Sequence, residues 1–353
     1  MSAAREAQHS LAYASGRPAC SAVFKHSPED FQVTEDLGFE LTGDGEHCCV
    51  QVCKRGLSTQ EVVRHLSRLA GVREHDVGYA GLKDRQGLCT QWFSVYMPGR
   101  SLEADTLSAP GIEVVTLTRN SRKLRRGSHR SNGFRIVLRE LAGTTPQALE
   151  QALHTVAAMG VPNYFGEQRF GLENRNVDEA RRLFSGALRL RKGYRRGMLI
   201  SSARSFVFNQ ILSRRVLEGN WNAYLDGDVM NLDGSGSVFT PAEWDATLQE
   251  RLREFDIHPT GALWGRGELP THAEAGALER DIAQQHPDLC QGLENMGLRQ
   301  ERRSLRLPVR ELQWQFLDGK TLELGFALPP GSYATTVLRE ICCVKEADGE
   351  EVR

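Results

Sequence analysis

The sequence predicts an α+β protein in which a strand-rich domain, built from both ends of the chain, carries an inserted, mainly helical α/β domain. Alternating apolar and polar residues, typical of strands, occur before residue 160 and again after residue 306. Between these regions, spaced apolar residues separated by Gly, Pro and polar breaks indicate helices over 176–185, 202–218, 243–254 and 273–285. The chain has 353 residues, enough for about two domains.

The first strand-rich segment follows a small, polar stretch, residues 1–22, that is predicted to be a flexible arm. Strands are predicted at Phe31–Glu35, His47–Cys53, Val77–Ala80 and Thr90–Met97. Ser58 and Glu61 have the spacing of a capping box and begin a helix that Gly71 ends. Thr145 and Pro146 begin a second helix, which runs to Met159.

The last segment returns to strands, at Val309–Leu317 and Thr321–Leu328, joined by the hairpin signal Asp318-Gly319. A final helix is predicted from about Tyr333 to Cys343. The sequence therefore divides into an arm (1–22), the first part of one domain (23–159), an insertion (160–306) and the second part of that domain (307–353).

Composition and motifs exclude several classes of protein. No apolar run reaches the length of a membrane helix, and the first residues lack a secretory signal, so we expect a cytoplasmic protein without a membrane partner. Eight cysteines in such a chain predict reduced thiols. The sequence has no GxGxxG after a strand, no P-loop and no HExxH, which argues against dinucleotide, nucleotide and zinc chemistry. Nothing in it predicts an obligate protein partner.

Positive charge is clustered although the net charge is only −1. Residues 119–139 contain eight Arg and Lys residues and no acid, and 180–217 is a second acid-free stretch. Clustered Arg favours a nucleic-acid partner, with Arg122, Lys123, Arg125 and Arg126 as candidate contacts to an RNA backbone. A solvated surface face is the more common explanation of a charge run.

One loop, residues 80–91, combines two glycines with a single carboxylate, Asp84, between Lys83 and Arg85. Neighbouring cations favour the ionised form of a carboxyl group, which suits a nucleophile or a base. By itself the pattern is more typical of a tight turn with a local ion pair.

The loop resembles the catalytic motif of the TruD family of transfer-RNA pseudouridine synthases, Gly-x-Lys-Asp followed by Thr-x-Gln. The matching residues are Gly81, Lys83, Asp84, Thr90 and Gln91. Three further blocks agree in order: Pro28-Glu-Asp-Phe31, Val161-Pro-Asn-Tyr-Phe-Gly166 with Gln168-Arg-Phe-Gly171, and Leu328-Pro-x-Gly331-Ser332. The likeness covers nearly the whole chain from Val23, and the family's fold, a mixed-sheet catalytic domain with an inserted domain, agrees with the predicted organisation.

The resemblance implies isomerisation of uridine to pseudouridine in transfer RNA, at position 13 in the bacterial proteins, without a metal or other cofactor. It makes Asp84 the catalytic aspartate, which either attacks C1′ of the ribose or removes a sugar proton. Lys83 is the expected charge partner of Asp84 and Lys25 a second candidate. Phe134, Asn132 and Tyr333 are the expected contacts to a uracil flipped out of its helix.

Two other functions are compatible with parts of the sequence. A basic stripe with an aromatic residue also suits an RNA-binding module without catalysis, and an aspartate nucleophile also suits a hydrolase of small substrates. The three functions differ in whether RNA is bound and whether uridine is converted.

Overall fold

The computed structural model describes residues 11–171, 174–346 and the backbone of Glu351–Val352. The strands of the first segment are β1 (Ser21–Phe24), β2 (Phe31–Asp36), β3 (His47–Arg55), β4 (Val77–Tyr79), β5 (Leu88–Tyr96), β6 (Ile112–Asn120) and β7 (Ser131–Ala142). Its helices are α1 (Thr59–Ala70), α2 (Ala104–Leu107) and α3 (Pro146–Met159). The capping box is formed as predicted, since Ser58 and Glu61 each accept the other's backbone N–H, and Gly71 ends α1 in a left-handed conformation.

The middle segment is mainly helical, as predicted, and contains a small sheet whose strands the sequence did not locate. Its elements are β8 (Val161–Pro162), α4 (Arg175–Phe184), α5 (Tyr194–Leu217), β9 (Met230–Leu232), β10 (Val238–Phe239), α6 (Ala246–Arg253), β11 (Ile257–Leu263), α7 (Ala273–Gln285), α8 (Pro287–Asn295), β12 (Glu301–Ser304) and β13 (Arg306–Leu307). The sheet has the order β10-β9-β11-β12. Its central strand β11 is buried on both faces and therefore shows no alternation in sequence.

The last segment contains β14 (Arg310–Asp318), β15 (Thr321–Leu328), α9 (Ala334–Ile341), β16 (Cys343–Glu346) and β17 (Glu351–Val352). The hairpin lies where it was predicted, since Asp318 pairs with Thr321 across the turn. The predicted final helix ends earlier, at Ile341, because the chain after Cys342 forms β16 beside β1.

The two ends of the chain form one mixed sheet. Its main path is β17-β16-β1-β7-β2-β5-β3-β6, with β15 also paired to β7, β14 to β15 and β4 to β5. β1 runs parallel to β16 and β2 parallel to β5, whereas β7 is antiparallel to β2 and β15. The predicted α+β class, with a mixed sheet built from both ends of the chain, is confirmed.

Hydrophobic packing follows the same division. One core joins the first and last segments, with Phe24 and Ile136 packed in the same cluster as Leu324 and Val337. A separate core fills the middle segment. The chain enters and leaves the middle segment at β8 and β13, which pair with each other.

The prediction of a flexible arm is wrong over residues 11–22. Leu11 and Ala12 pack against the core of the middle segment. The backbone N–H of Ala12 donates to the Ser213 hydroxyl at 3.0 Å, and that of Ala14 to the Glu340 carboxylate at 2.8 Å. These few apolar and backbone contacts leave no periodic pattern in the sequence. Residues 1–10 of the predicted arm lie outside the described residues. Within the described part of the chain, no helix could cross a membrane.

Candidate active site

The loop between β4 and β5 is fixed by buried side chains. Lys54, on β3, donates hydrogen bonds to the carbonyl oxygens of Asp84 and, at 2.7 Å, of Leu57. Gln91, on β5, is fully buried and donates to the carbonyl oxygen of Gly81. The Thr59 hydroxyl links Gln91 to the loop backbone, since it donates to the Gln91 side-chain oxygen at 3.1 Å and accepts the N–H of Lys83 at 3.0 Å.

The carboxylate of Asp84 is partly exposed and contacts Lys25. Lys25 Nζ donates to Asp84 Oδ2 at 2.6 Å, and the N–H of Gln86 donates to Asp84 Oδ1 at 3.0 Å. Burial acts to raise the pKa of Asp84, but the Lys25 ammonium and these hydrogen bonds outweigh it and hold the pKa below its usual value. The Asp84 side chain is 30% exposed and that of Lys25 only 5%, so the carboxylate is ionised and accessible.

Lys25 reaches Asp84 from an unusual backbone conformation. Its φ angle is 54°, in the left-handed region that residues other than glycine rarely adopt. Its ammonium also contacts Glu346 at 3.3 Å and lies over the ring of Phe31, 4.9 Å from the centroid. Backbone strain of this kind persists where the surrounding structure enforces it, and it is frequent at functional sites.

The expected pairing of Lys83 with Asp84 is wrong. Lys83 Nζ donates to Glu35 Oε2 at 2.6 Å, and both side chains are almost completely buried. Sequence neighbours in an irregular loop point in different directions, so Lys83 turns into the sheet while Asp84 turns outward. Burial raises the pKa of Glu35, and the Lys83 ammonium opposes that effect.

Asn132, the second residue of β7, lies opposite Glu35 on β2. Its Nδ2 group is 3.2 Å from Nε2 of His129, and its Oδ1 atom is buried without a hydrogen-bond partner among the described residues. Burial and the nearby Lys83 ammonium lower the pKa of His129 to about 4, so the ring is neutral at pH 7. A neutral His129 accepts from Asn132, which leaves Oδ1 as an unused buried acceptor.

Phe134 and Tyr333 occupy different surroundings. The Phe134 ring is stacked on Phe326, with centroids 5.4 Å apart, and lies 6.2 Å from Phe31. The structure thereby brings Phe134 into one aromatic row with the ring that contacts Lys25. Tyr333 lies at the start of α9, where its hydroxyl is 3.1 Å from Arg169. No ring contact joins Tyr333 to Phe134 among the residues that the structure describes.

The basic stripe is more heterogeneous than the sequence predicts. Three of its arginines pair with acids from other elements, namely Arg130 with Asp36, Arg135 with Glu323 and Arg139 with Asp30. The candidate RNA contacts lie together in the exposed loop between β6 and β7, where Arg126 contacts the Tyr79 hydroxyl at 2.8 Å. Arg122 and Arg125 have no acidic partner within the described ranges.

Half of the ten basic residues in the second acid-free stretch pair with acids that are distant in sequence or just outside it. Five of its arginines form ion pairs: Arg181 with Asp288, Arg195 with Glu179, Arg204 with Glu301, Arg214 with Glu218 and Arg215 with Asp228. The absence of acids from a stretch of sequence therefore does not establish a basic surface.

Sequence reasoning did not assign Glu35, Lys54 or His129 to the site. Glu35 occupies a core-facing position in the alternation of β2, since Phe31 and Val33 are buried on the same face. An acid at such a position signals a buried partner, and this signal was available in the sequence. Lys54 gives the same signal, since it continues the buried face of β3 after Val50 and Val52, whereas His129, in the loop before β7, carries no comparable signal. Among residues 11–171 and 174–346, no cluster of three or more His, Cys, Asp or Glu residues could hold a metal ion.

Comparison with known proteins identifies the family. The family model described as tRNA pseudouridine synthase D (TruD) matches residues 9–180 and 175–341. The chain is 46% identical to tRNA pseudouridine synthase D of Nitrosococcus oceani, over 99% of this chain and 98% of the relative. It is 44% identical to the protein of the same name from Hydrogenovibrio crunogenus, over 96% of this chain and 97% of the relative.

A solved structure shares the fold. A crystal structure from Methanosarcina mazei assigned to TruD superimposes with a TM-score of 0.73 and 21% identity, covering 95% of this chain and 97% of that one. The resemblance first indicated by the loop around Asp84 is thus confirmed over nearly the whole length. The chain belongs to the TruD family of tRNA pseudouridine synthases.

Proposed function

We propose that this protein isomerises uridine to pseudouridine in transfer RNA, at position 13, and that Asp84 acts on the ribose of a flipped nucleotide. The observation that carries the proposal is the state of Asp84, an accessible carboxylate kept ionised by the buried ammonium of Lys25. Family membership supports the reaction class and the substrate.

The reaction breaks the C1′–N1 bond, rotates the freed uracil, joins C5 to C1′ and removes the C5 proton. Asp84 can begin it by attacking C1′ or by removing a sugar proton, and both roles require the ionised carboxylate. Lys25 maintains that state, while Lys54 and Gln91 hold the loop backbone in place. No step in this scheme consumes a cofactor.

In the proposed complex the flipped uracil contacts Asn132 and Phe134, and Tyr333 is a further contact. The buried, unused Oδ1 of Asn132 is an acceptor for the N3–H of uracil, a donor that cytosine lacks. Neutral His129 orients the Asn132 amide for this contact. Phe134 offers an aromatic ring on which the base can stack, on the same face of β7 as Asn132.

The RNA backbone is placed against the loop that carries Arg122, Lys123, Arg125 and Arg126. Replacing all four with Gln should weaken tRNA binding, and each lost phosphate contact should lower the slope of log affinity against log salt by about 0.7–0.9. Arg130→Gln is the matched control from the same stretch, because Asp36 already neutralises Arg130. An unchanged salt slope in the fourfold variant would place this loop outside the RNA interface.

The two proposed domains correspond to segments of the chain. Residues 23–159 and 307–353 form the catalytic domain, and residues 160–306 form an inserted domain that completes the RNA-binding surface. The pairing of β8 with β13 and the separate core of the middle segment support this division. A tRNA substrate places the protein in the cytoplasm, and no obligate protein partner is proposed.

The test is incubation of the protein with unmodified tRNA and no cofactor, followed by carbodiimide mapping of pseudouridine. We expect one new carbodiimide adduct, at position 13, with no change in RNA mass before derivatisation. An RNA-binding module would bind the tRNA and leave it unchanged. A hydrolase of small substrates would show no affinity for tRNA.

A further inference from the structure

Two arginines meet at the seam between the middle and last segments. Arg169 belongs to the short 3-10 turn Glu167–Arg169, and Arg303 to β12. Both guanidinium groups lie over the ring of Phe165, with Cζ 5.0 Å and 4.1 Å from its centroid. Two positive charges from distant parts of the sequence therefore share one aromatic neighbour.

The hydrogen-bond partners of both arginines are uncharged. Arg169 donates to the Ser201 hydroxyl at 2.6 Å and to the Tyr333 hydroxyl at 3.1 Å. Arg303 donates to the Asn163 side-chain oxygen at 2.7 Å. Within residues 11–171 and 174–346, no carboxylate pairs with either arginine. Both residues are half-buried, and arginines withdrawn from water normally have an acidic partner.

Arg302, next to Arg303 on β12, has such an acidic partner. Arg302 is as buried as a core residue and lies 2.8 Å from the equally buried Glu279. Burial and the neighbouring Arg169 charge lower the pKa of Arg303 to about 10, whereas a paired anion would act in the opposite direction. Nε of Arg169 and Nη1 of Arg303 also have no acceptor among the described residues. Among the residues that the structure describes, the seam thus holds two positive charges and spare N–H donors without an anionic partner.

The surroundings connect the arginine pair to the candidate active site. Arg303 approaches the carbonyl oxygen of Gly331 at 3.5 Å, and Arg169 contacts Tyr333 two residues later. This segment directly follows β15, whose last residue, Leu328, pairs with Asn132 on β7. The arginines therefore lie at the end of the sheet where Asn132 and Glu35 are found.

We infer that Arg169 and Arg303 form a phosphate-binding site that holds an RNA phosphodiester next to the flipped nucleotide. Guanidinium groups present planar sets of N–H donors that match phosphate oxygens, and they lose less hydration than an ammonium does. The inference rests on the proposed function, since it takes RNA as the substrate. Because the two arginines come from the middle segment and Tyr333 from the last, a phosphate bound there would position the substrate across the seam.

The test compares Arg169→Gln with Arg214→Gln by measuring tRNA affinity at several salt concentrations. Arg214 is the matched control, because it lies on the exposed surface of the same segment and is paired with Glu218. We expect Arg169→Gln to lower the salt slope by about 0.7–0.9 and Arg214→Gln to leave it unchanged. Arg303→Lys, which keeps the charge but loses the planar donor set, should keep the slope and weaken the affinity.

The melting temperature of each variant separates binding from folding. An unchanged salt slope for Arg169→Gln, with or without a lower melting temperature, would show that the pair only ties the two segments together and would overturn the inference. If Arg303→Lys does not fold, the salt slope of Arg169→Gln alone tests the inference. Pseudouridine formation by the parent protein is scored separately. A parent that binds tRNA without converting uridine would contradict the proposed function, and the slope comparison would still decide the phosphate site.

Discussion

Two lysine–carboxylate pairs lie on either side of the same loop, and they differ in what they can do. Lys25–Asp84 and Lys83–Glu35 both have a contact of 2.6 Å. The Asp84 side chain is 30% exposed, whereas that of Glu35 is completely buried. The first pair offers an ionised carboxylate to a substrate, and the second holds β2 against the loop. Accessibility, not the contact itself, distinguishes a reactive pair from a structural one.

The comparison predicts that Asp84→Asn abolishes turnover. The amide keeps the size of the side chain and removes the charge that both chemical roles require, so we expect the single-turnover rate to fall by at least about a thousandfold. The melting temperature and the tRNA affinity should stay near those of the parent, because the carboxylate is partly exposed and Glu346 still pairs with the buried Lys25 ammonium. Near-normal turnover of this variant would remove Asp84 from the mechanism.

Glu35→Gln is predicted to act on stability. The substitution leaves the buried Lys83 ammonium without its carboxylate, which should lower the free energy of unfolding by about 3–5 kcal/mol. Denaturant titration measures the loss, and the single-turnover rate is then scored per folded molecule. A variant as stable as the parent but inactive would reverse the roles assigned to the two pairs.

Phe134→Ala tests whether the aromatic row serves the base as well as the core. A base stacked on an aromatic ring gains about 1–3 kcal/mol, so the variant should lose about 10- to 100-fold in single-turnover rate. Some loss of melting temperature is also expected, because Phe134 packs on Phe326. If the folded fraction reacts at the parental rate, Phe134 is only a core residue.

Tyr333→Phe is the mild control and the smallest expected effect. It keeps the ring and removes one hydrogen bond, which the charged Arg169 guanidinium donates to the Tyr333 hydroxyl at 3.1 Å. We expect the variant to stay active, with a loss below about tenfold. A larger loss would mean that the hydroxyl itself takes part in binding or catalysis.

The sequence predicted the sheet at both ends of the chain because most of its strands alternate or carry strong turn signals. It did not predict β7, the strand that joins the two ends, because Arg135 and Arg139 interrupt the apolar pattern. Ile136 and Leu138, beside them, are nevertheless fully buried. It also did not locate the strands of the middle segment, where β11 contains Pro259 and Gly261 and shows no period.

The candidate site was predictable to the extent that it lies in one stretch of sequence. Asp84 and its loop could be recognised from their motif, and Lys25 could be proposed as a partner. That Lys83 turns to Glu35 could not be predicted, because the direction of a loop side chain depends on tertiary contacts. The Arg169–Arg303 pair was equally hidden, since its residues are far apart in sequence and Arg303 lies among other arginines.

Asp84 must be ionised in either of its chemical roles, and the pH dependence of the single-turnover rate tests this ionisation directly. The Lys25 ammonium lowers the pKa of Asp84 below its ordinary value of 3.8, so the carboxylate should stay ionised, and the rate should not fall on its account, until the pH drops below that value. In Lys25→Met the burial that raises the pKa is unopposed by this charge, so the acid limb should move to higher pH. A parent rate that already falls through an acid limb well above 4, as expected for a carboxyl with the raised pKa of Glu35, would contradict the assignment of Asp84.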